Sequence, residues 1–197
     1  MSKDVHALIE ELFGTRQRRD NMPRLLRRGT RDDLGILAQR MGYRKAVEVG
    51  TKRGQYAEVL CQGNPDMHLT CVDPWVAYNW VRQSAQDDIY PHAVKRLSKY
   101  NVTIMRKPSM EAVLEFEDKS LDFVFIDGNH KFNYVMLDLI HWHDKVRIGG
   151  MMALHDYRPG HWAGVVEAVD AYTKCHDIRP WYVIREEPPT AFWIKQE

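Results

Sequence analysis

The chain has 197 residues, 44% of them apolar, and its 28 basic and 27 acidic side chains leave a formal net charge of +1. This length is sufficient for one domain with a substantial core. The small net charge gives no overall field that would favour nucleic acid or a membrane surface as a partner. No apolar stretch approaches the roughly 20 residues that span a bilayer, and the N-terminus lacks a signal-peptide cleavage site. We therefore expect a soluble, cytoplasmic, single-domain protein.

Three cysteines are too few and too scattered for a disulfide framework or a zinc knuckle. Cys61 and Cys71 fall where a buried helix and a buried strand are expected, which predicts core thiols. Cysteine usage of this kind is typical of a reducing compartment.

The first 44 residues are predicted to form a helical extension. Ser2 is a candidate cap for a helix that ends at Gly14, with an apolar face along its length. The sequence from Thr30 to Asp33 resembles a capping box that opens a second helix, which Gly42 stops.

A basic, irregular stretch lies between these two helices. It holds seven arginines, opposed only by Asp20: Arg16, Arg18, Arg19, Arg24, Arg27, Arg28 and Arg31. A solvated face or a mobile arm is the favoured interpretation, and a patch for phosphate or another polyanion is the alternative.

From Lys45 onward, short apolar runs alternate with stretches of helical periodicity. The predicted strands are 46–49, 69–72, 102–105, 121–126 and 151–154, and the helices between them include 56–61, 109–116 and 132–145. Continuous apolar strands of this kind indicate a parallel sheet covered by helices on both faces. A helix from about Trp162 to Lys174 precedes two runs, 181–184 and 191–194, joined so tightly that they must pair antiparallel.

The first strand runs into a glycine-rich turn, Glu48-Val49-Gly50-Thr51-Lys52-Arg53-Gly54. Glycines at a strand-to-helix turn allow a ligand to approach the backbone and the helix N–H groups. A plain tight turn explains the two glycines equally well. The G-x-G-x-x-G spacing of a dinucleotide fold is missing, which argues against a nicotinamide enzyme.

The second strand ends at Asp73, a position from which a carboxylate can accept hydrogen bonds from two ribose hydroxyls. The alternative is an Asp that caps a helix before Pro74. Trp75 offers an aromatic face for an adenine, or it is a core tryptophan.

Two further strands deliver polar side chains at their carboxyl ends: Asp127, with His130 close behind it, and the pair His155-Asp156. Ligands of open α/β sheets bind at that edge. Oxygen and imidazole donors together suit a divalent ion. The alternative is that these acids merely cap the following helices.

The segments VEVGTKRGQYAEVL, TCVDPW, KPSMEAVLEF and the long run from Ser120 to Asp156 resemble class I S-adenosylmethionine-dependent methyltransferases. Within that class they are most similar to the group of macrocin-type O-methyltransferases and cephalosporin-hydroxylase-like proteins, and more distantly to catechol-type O-methyltransferases. The similarity covers about Lys45 to Tyr157. It implies a Rossmann-like methyltransferase fold, which we expect as a mostly parallel seven-stranded sheet with a C-terminal antiparallel hairpin, formed by residues 45–197.

The resemblance also implies roles for individual residues. The first-motif turn surrounds the methionine moiety of S-adenosylmethionine, Asp73 holds the ribose, and Ser109 and Met110 lie beside the adenine. The residues assigned to cofactor binding are Glu48, Gly50, Thr51, Lys52, Gly54, Asp73, Trp75, Ser109, Met110 and Asp127.

Asp127 and Asp156 match carboxylates that hold magnesium in metal-dependent relatives, and His155 stands where some relatives carry another acidic ligand. These three are the expected metal ligands. The bound ion would be Mg²⁺ or Mn²⁺, and the alternative is that no metal is bound. His130 matches the histidine of a D-G-x-H segment and is the expected base, with Asp127 beside it as the second catalytic residue.

The expected reaction is methylation of a hydroxyl on a small molecule. Segment 76–91, which contains Tyr78, Trp80 and Tyr90, is expected over the acceptor, where its aromatic residues either stack a planar substrate or close the core. The N-terminal extension is a candidate lid or homodimer contact. The alternatives are a nucleotide or nucleic-acid methyltransferase that uses the arginines, against which no Asp-Pro-Pro-Tyr-type segment is found, and a non-catalytic relative.

Overall fold

The computed structural model describes residues 4–15, 21–78, 81–160 and 163–196. Within these ranges the chain alternates strands and helices. The strands are β1 (Arg24–Leu25), β2 (Lys45–Val49), β3 (His68–Val72), β4 (Val102–Met105), β5 (Leu121–Ile126), β6 (Val146–Leu154), β7 (Trp181–Ile184) and β8 (Thr190–Ile194). The helices are α1 (Val5–Phe13), α2 (Asp33–Arg40), α3 (Gln55–Gly63), α4 (Gln83–Leu97), α5 (Ser109–Ala112), α6 (Phe132–Lys145) and α7 (Ala163–Cys175), with a 3₁₀ turn at Val113–Glu115.

The strands form one sheet in the order β1-β7-β8-β6-β5-β2-β3-β4. Only β8 runs antiparallel to its neighbours, β6 and β7. The strand order reverses between β2 and β5, which lie side by side and lead outward in opposite directions. Open α/β sheets bind ligands at such a switch point. The expected Rossmann-like α/β fold and its C-terminal hairpin are confirmed.

The prediction of seven strands is wrong by one. The eighth strand is β1, which lies in the arginine-rich stretch and pairs parallel with β7 over Arg24 and Leu25. A strand of two residues is too short to show a hydrophobic periodicity. An arginine at one of the two positions is more typical of a loop than of a strand.

Alternate residues of each central strand face opposite layers. In β5, Phe123 and Phe125 pack with α1, α2 and α3, whereas Val124 and Ile126 pack with α6 and α7. Helices therefore cover both faces, and the sheet edge is left for polar side chains.

The N-terminal helices join the first of these layers. Ile9 and Phe13 of α1 and Leu34 of α2 are fully buried in the same cluster as Phe123. Asp4 caps α1, and the expected cap Ser2 lies outside the described residues.

The capping box before α2 is half formed. The carboxylate of Asp33 accepts the N–H of Thr30 at 2.9 Å, but the Thr30 hydroxyl accepts from Asp32 rather than from Asp33. Gly42 follows the helix with φ +74°, as a stop requires.

Helix α4 was not predicted as a helix. It contains Pro91 and has only a weak apolar face, with Gln86, Ile89, Ala93 and Leu97 buried. Among the described residues, no helix is long and apolar enough to cross a membrane. Cys61 and Cys71 are buried free thiols, as expected.

Candidate active site

The carboxyl ends of β2, β3, β5 and β6 meet at one edge of the sheet. Gly50, which follows β2, donates its N–H to Val72 of β3 at 2.8 Å, and Asp127 donates its N–H to Val49 at 2.8 Å. His155 in turn donates its N–H to Ile126 at 3.0 Å. These backbone bonds extend the parallel ladders by one residue and place the polar residues side by side.

The turn after β2 requires glycine at two positions. Gly50 has φ +96°, and a Cβ built there would lie 2.1 Å from the carbonyl oxygen of Asp127. Gly54 has φ +71° at the start of α3, where a Cβ would lie 2.9 Å from Leu97. Between them Lys52 also adopts a positive φ, +49°. The turn is therefore packed directly against the Asp127 backbone.

Glu48 is a buried carboxyl at the base of this turn. Burial raises its pKa to about 8, and the charges of Asp127 and Asp73 act in the same direction. Thr51 lies close enough to lower the pKa of Glu48, yet among the described residues neither Glu48 Oε2 nor Thr51 Oγ1 has a hydrogen bond of normal geometry. Buried polar atoms are normally satisfied, so both atoms mark a place where a ligand group fits.

Asp73 lies across the turn from Glu48. Its Oδ2 accepts the N–H of Lys52 and its Oδ1 accepts the N–H of Trp75, each at 2.8 Å. Burial raises its pKa, against the effect of these two hydrogen bonds. Each carboxylate oxygen keeps a further acceptor position, because it carries two lone pairs.

Trp75 is fully buried beneath the turn. Its indole N–H donates to the carbonyl of Lys52 at 2.9 Å, and its ring centroid lies 4.9 Å from that of Tyr90. The indole thus ties the glycine-rich turn to α4. Contact with an adenine stays a prediction.

Ser109 and Met110 open α5, which follows the strand β4 next to β3, and both are partly buried. The Ser109 hydroxyl donates to Asp138 of α6 at 2.5 Å and accepts from the indole of Trp142 at 2.8 Å. Burial raises the pKa of Asp138 to about 6. Asp138 was not expected near the site, because it lies mid-helix without a motif around it.

Two carboxylates and two imidazoles form the centre of the edge. His130 Nε2 lies 3.0 Å from Asp156 Oδ2 and 3.6 Å from Asp127 Oδ1. His155 Nδ1 lies 3.3 Å and 3.5 Å from the same two oxygens. We refer to Asp127, His130, His155 and Asp156 as the Asp/His cluster. Asp156 reaches it from a left-handed backbone conformation, φ +59°, which is unusual outside glycine and recurs at functional sites.

Opposite charges in the cluster support one another. Burial lowers the pKa of each imidazole, but the two carboxylates outweigh it and raise the pKa of both His130 and His155 to about 9. Burial likewise raises the pKa of each acid, and the histidines bring both below the ordinary range. The cluster is a network of charged groups at neutral pH.

The same atoms have the spacing of a metal site. Asp127, His130 and Asp156 each offer one donor, and these donors all lie within 4.8 Å of one another. Donors that share an ion at roughly 2.0–2.2 Å are about 3–4.4 Å apart. The sequence placed His155 with the two acids and kept His130 as a base. In the structure both imidazoles lie beside the two acids.

Arg31, a residue of the basic stretch, lies next to the Asp/His cluster, a position that the sequence did not predict. Its Nη1 lies 3.5 Å from Asp127 Oδ2, and its guanidinium lies 4.8 Å from the ring centroid of Tyr56. No motif marks this position in the sequence, because the contact depends on how the segment before α2 folds back onto the sheet.

Two other described arginines of the stretch contact the protein itself. Arg24 lies over the ring of Tyr182, and Arg28 donates to the carbonyls of Glu11 and Leu12. Arg16, Arg18 and Arg19 lie outside the described residues.

The segment expected over the acceptor is partly described. Tyr78 is half exposed, Tyr90 packs on Trp75, and Trp80 lies outside the described residues.

Sequence comparison matches residues 47–157 to a family described as the methyltransferase domain. An uncharacterised protein of Acanthamoeba polyphaga mimivirus is 24% identical over 121 residues, which are 59% of this chain and 53% of that protein. An uncharacterised protein of Sinorhizobium fredii is 28% identical over 119 residues, 57% of this chain and 13% of that protein. The aligned region thus covers about half or less of these curated relatives.

Solved structures with the same fold include an O-methyltransferase from Bacillus cereus in complex with S-adenosylhomocysteine, with a TM-score of 0.62, 14% identity, and coverage of 83% of this chain and 80% of that one. The O-methyltransferase TomG from Streptomyces achromogenes, in complex with S-adenosylmethionine, has a TM-score of 0.59 and 17% identity, with coverage of 83% of this chain and 78% of that one. The S-adenosylhomocysteine-bound methyltransferase PaMTH1 from Podospora anserina has a TM-score of 0.58 and 14% identity, with coverage of 85% of this chain and 78% of that one. The chain belongs to the methyltransferase-domain family, as its resemblance to class I S-adenosylmethionine-dependent methyltransferases led us to expect.

Proposed function

We propose that this chain transfers a methyl group from S-adenosylmethionine to a hydroxyl of a small molecule, at the Asp/His cluster. The observation that carries the proposal is the position of the cluster. Asp127 contacts the glycine-rich turn through Gly50, so the groups that would activate the acceptor lie beside the turn that would bind the cofactor. The solved relatives named above include proteins that hold S-adenosylmethionine or S-adenosylhomocysteine.

The cleft has the chemistry that the cofactor requires. Asp73 offers acceptors for the ribose hydroxyls, and Glu48 and Thr51 present buried polar atoms that the described residues leave unsatisfied. The missing side chain at Gly50 lets the turn pack directly against the Asp127 backbone, which holds the turn beside the Asp/His cluster. Ser109 and Met110 border the space next to Asp73 that we assign to the adenine. S-adenosylmethionine supplies an activated methyl group on a sulfonium, and the protein supplies proximity and orientation, effects that account for roughly 7–11 kcal/mol in favourable cases.

The cluster also fits a divalent cation. Asp127, His155 and Asp156 would hold it, with His130 close enough to join them. Two nitrogen and two oxygen donors favour Mn²⁺ or a later first-row ion over Mg²⁺, which prefers oxygen ligands alone. Such an ion lowers the pKa of a bound hydroxyl.

The acceptor hydroxyl must lose its proton, and His130 in its neutral form is the group that we assign to take it. Because the two carboxylates raise the pKa of His130 to about 9, the fraction of this neutral form increases as pH rises toward 9. It lies between Asp127 and Asp156, so the imidazolium formed by proton transfer is stabilised by both carboxylates. The methyl carbon then bonds to the acceptor oxygen as its bond to sulfur breaks. Asp127 orients His130 and, through its backbone, the glycine-rich turn.

The described part of the N-terminal extension, residues 4–15 and 21–44, contributes a fixed wall in this proposal. Buried residues of α1 and α2 belong to the main core, and Arg31 reaches the cluster. The expected roles of this extension as a moving lid or a homodimer contact stay predictions. The contacts of Arg24 and Arg28 with the protein itself favour a small-molecule acceptor over nucleic acid.

Calorimetric titration with S-adenosylhomocysteine, with NAD as the control ligand, tests the cofactor. We expect binding of the first and none of the second. Turnover is then tested by release of S-adenosylhomocysteine from S-adenosylmethionine with a panel of phenols and alcohols. His130→Gln should lower turnover by about 100-fold or more, the usual effect of losing a base, and should leave S-adenosylhomocysteine binding intact.

His141→Gln is the matched control, because it makes the same substitution at an exposed histidine of α6. Full activity of His130→Gln, or failure of the wild-type protein to bind S-adenosylhomocysteine, would contradict the proposed function.

A further inference from the structure

We propose that Arg31 binds the carboxylate at the methionine end of S-adenosylmethionine. The inference rests on the proposed function and adds a binding residue at the end of the cofactor opposite to Asp73. It draws on four observations: the anchoring of the Arg31 backbone, the free donor on its guanidinium, the direction of the cleft and its charge.

The backbone of Arg31 is held from two sides. Its N–H donates to Glu186 Oε1 at 3.1 Å, and its carbonyl accepts the hydroxyl of Tyr56 at 2.7 Å. Glu186 is itself fixed by the hydroxyl of Thr190 at 2.6 Å. These bonds involve main-chain atoms of Arg31, so they set the origin of the side chain and survive its replacement.

The guanidinium lies over the Tyr56 ring and points toward Asp127. Its Nη1 is buried, and the structure gives it no hydrogen-bond partner among the described residues. The 3.5 Å separation from Asp127 Oδ2 is longer than the roughly 2.7–2.9 Å of a charge-assisted hydrogen bond. The ion pair with Asp127 therefore leaves a donor available for a second anion.

The direction of the cleft places the amino-acid end of the cofactor near this donor. If Asp73 holds the ribose, the sulfonium must lie between Asp73 and the Asp/His cluster, where the acceptor hydroxyl is bound. The amino-acid group then continues past Gly50 toward Asp127 and Arg31. Gly50 packs against the Asp127 backbone, and Arg31 Nη1 lies 3.5 Å from the Asp127 carboxylate, so the turn, Asp127 and Arg31 are contiguous.

The acidic groups of the cleft oppose a ligand carboxylate, so a nearby cation favours its binding. Asp73 and Asp127 are acidic groups of that space, and they repel a ligand carboxylate. Arg31, whose Nη1 lies 3.5 Å from Asp127 Oδ2, is a cation that offsets this repulsion. An arginine also matches a carboxylate geometrically, because its planar fork donates two parallel N–H bonds.

The experiment compares two ligands on four proteins by calorimetry. The ligands are S-adenosylhomocysteine and its decarboxylated analogue, which lacks only the α-carboxylate. The proteins are the wild type, Arg31→Met, Arg31→Lys and the control Arg27→Met, which removes an exposed arginine of the same segment.

We expect Arg31→Met to weaken S-adenosylhomocysteine by about 10- to 100-fold, the range for losing a hydrogen bond to a charged group. The decarboxylated analogue should bind Arg31→Met as well as it binds the wild type. Arg31→Lys should retain part of the affinity for S-adenosylhomocysteine, and Arg27→Met all of it.

Three results would overturn the inference. Unchanged affinity of Arg31→Met for S-adenosylhomocysteine would mean that no carboxylate contacts Arg31. Equal weakening of both ligands would mean that Arg31 supports the cleft structurally. Failure of the wild type to bind S-adenosylhomocysteine would remove the proposed function as well, which separates that failure from the other two. If Arg31→Met does not fold, Arg31→Lys makes the same comparison.

Discussion

Gly50 and Asp127 are in contact through their backbones: the Cα of Gly50 faces the carbonyl of Asp127 so closely that a Cβ on Gly50 would lie 2.1 Å from that oxygen. The contact joins β2, the strand that leads into the glycine-rich turn, to β5, the strand that ends at Asp127. A ligand seated on the glycine-rich turn is therefore held at a fixed distance from the Asp/His cluster.

Gly50→Ala should be strongly destabilising. The new methyl group meets backbone rather than a flexible side chain, and the φ of +96° disfavours any L side chain. We expect a loss of about 2–4 kcal/mol of unfolding free energy in urea titrations, together with loss of S-adenosylhomocysteine binding.

Gly42→Ala is the control, because Gly42 has a similar φ of +74° but no atom within 4 Å of the added Cβ. It should cost about 1 kcal/mol, the conformational penalty alone. Equal losses for the two variants would show that the Gly50–Asp127 contact is not tight.

The positions of most strands were predictable because the hydrophobic patterns that indicate them are local. The apolar runs at β4, β5 and β7 coincide with the observed strands, and α6 begins and ends where its periodicity does. The tight link before β8 required an antiparallel pair, which is present. Patterns of period 2 and 3.6 are properties of short segments, and they survive in the folded chain.

The features that sequence did not predict depend on contacts between distant segments. Helix α4 contains Pro91, and a proline is unfavourable in a helix interior. Arg31 meets Asp127 across 96 positions of sequence, and Asp138 meets Ser109 across 29. His130 was expected near the acids, but its distance from Asp156 depends on the left-handed turn at Asp156, which carries no sequence signal of its own.

Asp138 should make the protein less stable as pH rises. Burial raises its folded-state pKa to about 6 from an ordinary value near 3.8. The folded state thus binds this proton more tightly than the unfolded state does, and the resulting stability is present below about pH 4 and is lost as pH rises through about 6. Asp138→Asn keeps an acceptor for Ser109 and removes the titration.

The measurement is urea unfolding of wild type and Asp138→Asn at pH 4.5, 6 and 7.5. The variant should gain about 2–3 kcal/mol relative to the wild type across this range, since each pKa unit corresponds to about 1.4 kcal/mol. Asp144→Asn, which removes an exposed carboxylate of the same helix, should show no such trend. A pH-independent difference for Asp138→Asn would contradict the expected burial effect.

The Asp/His cluster should prefer Mn²⁺ to Mg²⁺. Titration calorimetry of the wild type should give an affinity for Mn²⁺ at least about tenfold higher, because imidazole nitrogens are poor ligands for Mg²⁺. His155→Asp replaces the Nδ1 donor, which lies 3.3 Å from Asp156 Oδ2, by carboxylate oxygens, and it should lower the ratio of Mn²⁺ to Mg²⁺ affinity. The idea fails if Mg²⁺ binds the wild type as tightly as Mn²⁺, or if His155→Asp leaves the ratio unchanged.

Asp73 should discriminate between ribose and deoxyribose. Its two oxygens are aligned by the N–H groups of Lys52 and Trp75, which leaves each oxygen an acceptor position toward the cleft. The wild type should bind S-adenosylhomocysteine about tenfold or more tightly than its 2′-deoxy analogue, the effect of one hydrogen bond to a charged group. Asp73→Asn should bind both ligands weakly and with similar affinity, so that the two changes are not additive. If Asp73→Asn still discriminates tenfold between the two ligands, the ribose lies elsewhere in the cleft. The inferred role of Arg31 would then lose its basis, because it assumes that Asp73 holds the ribose.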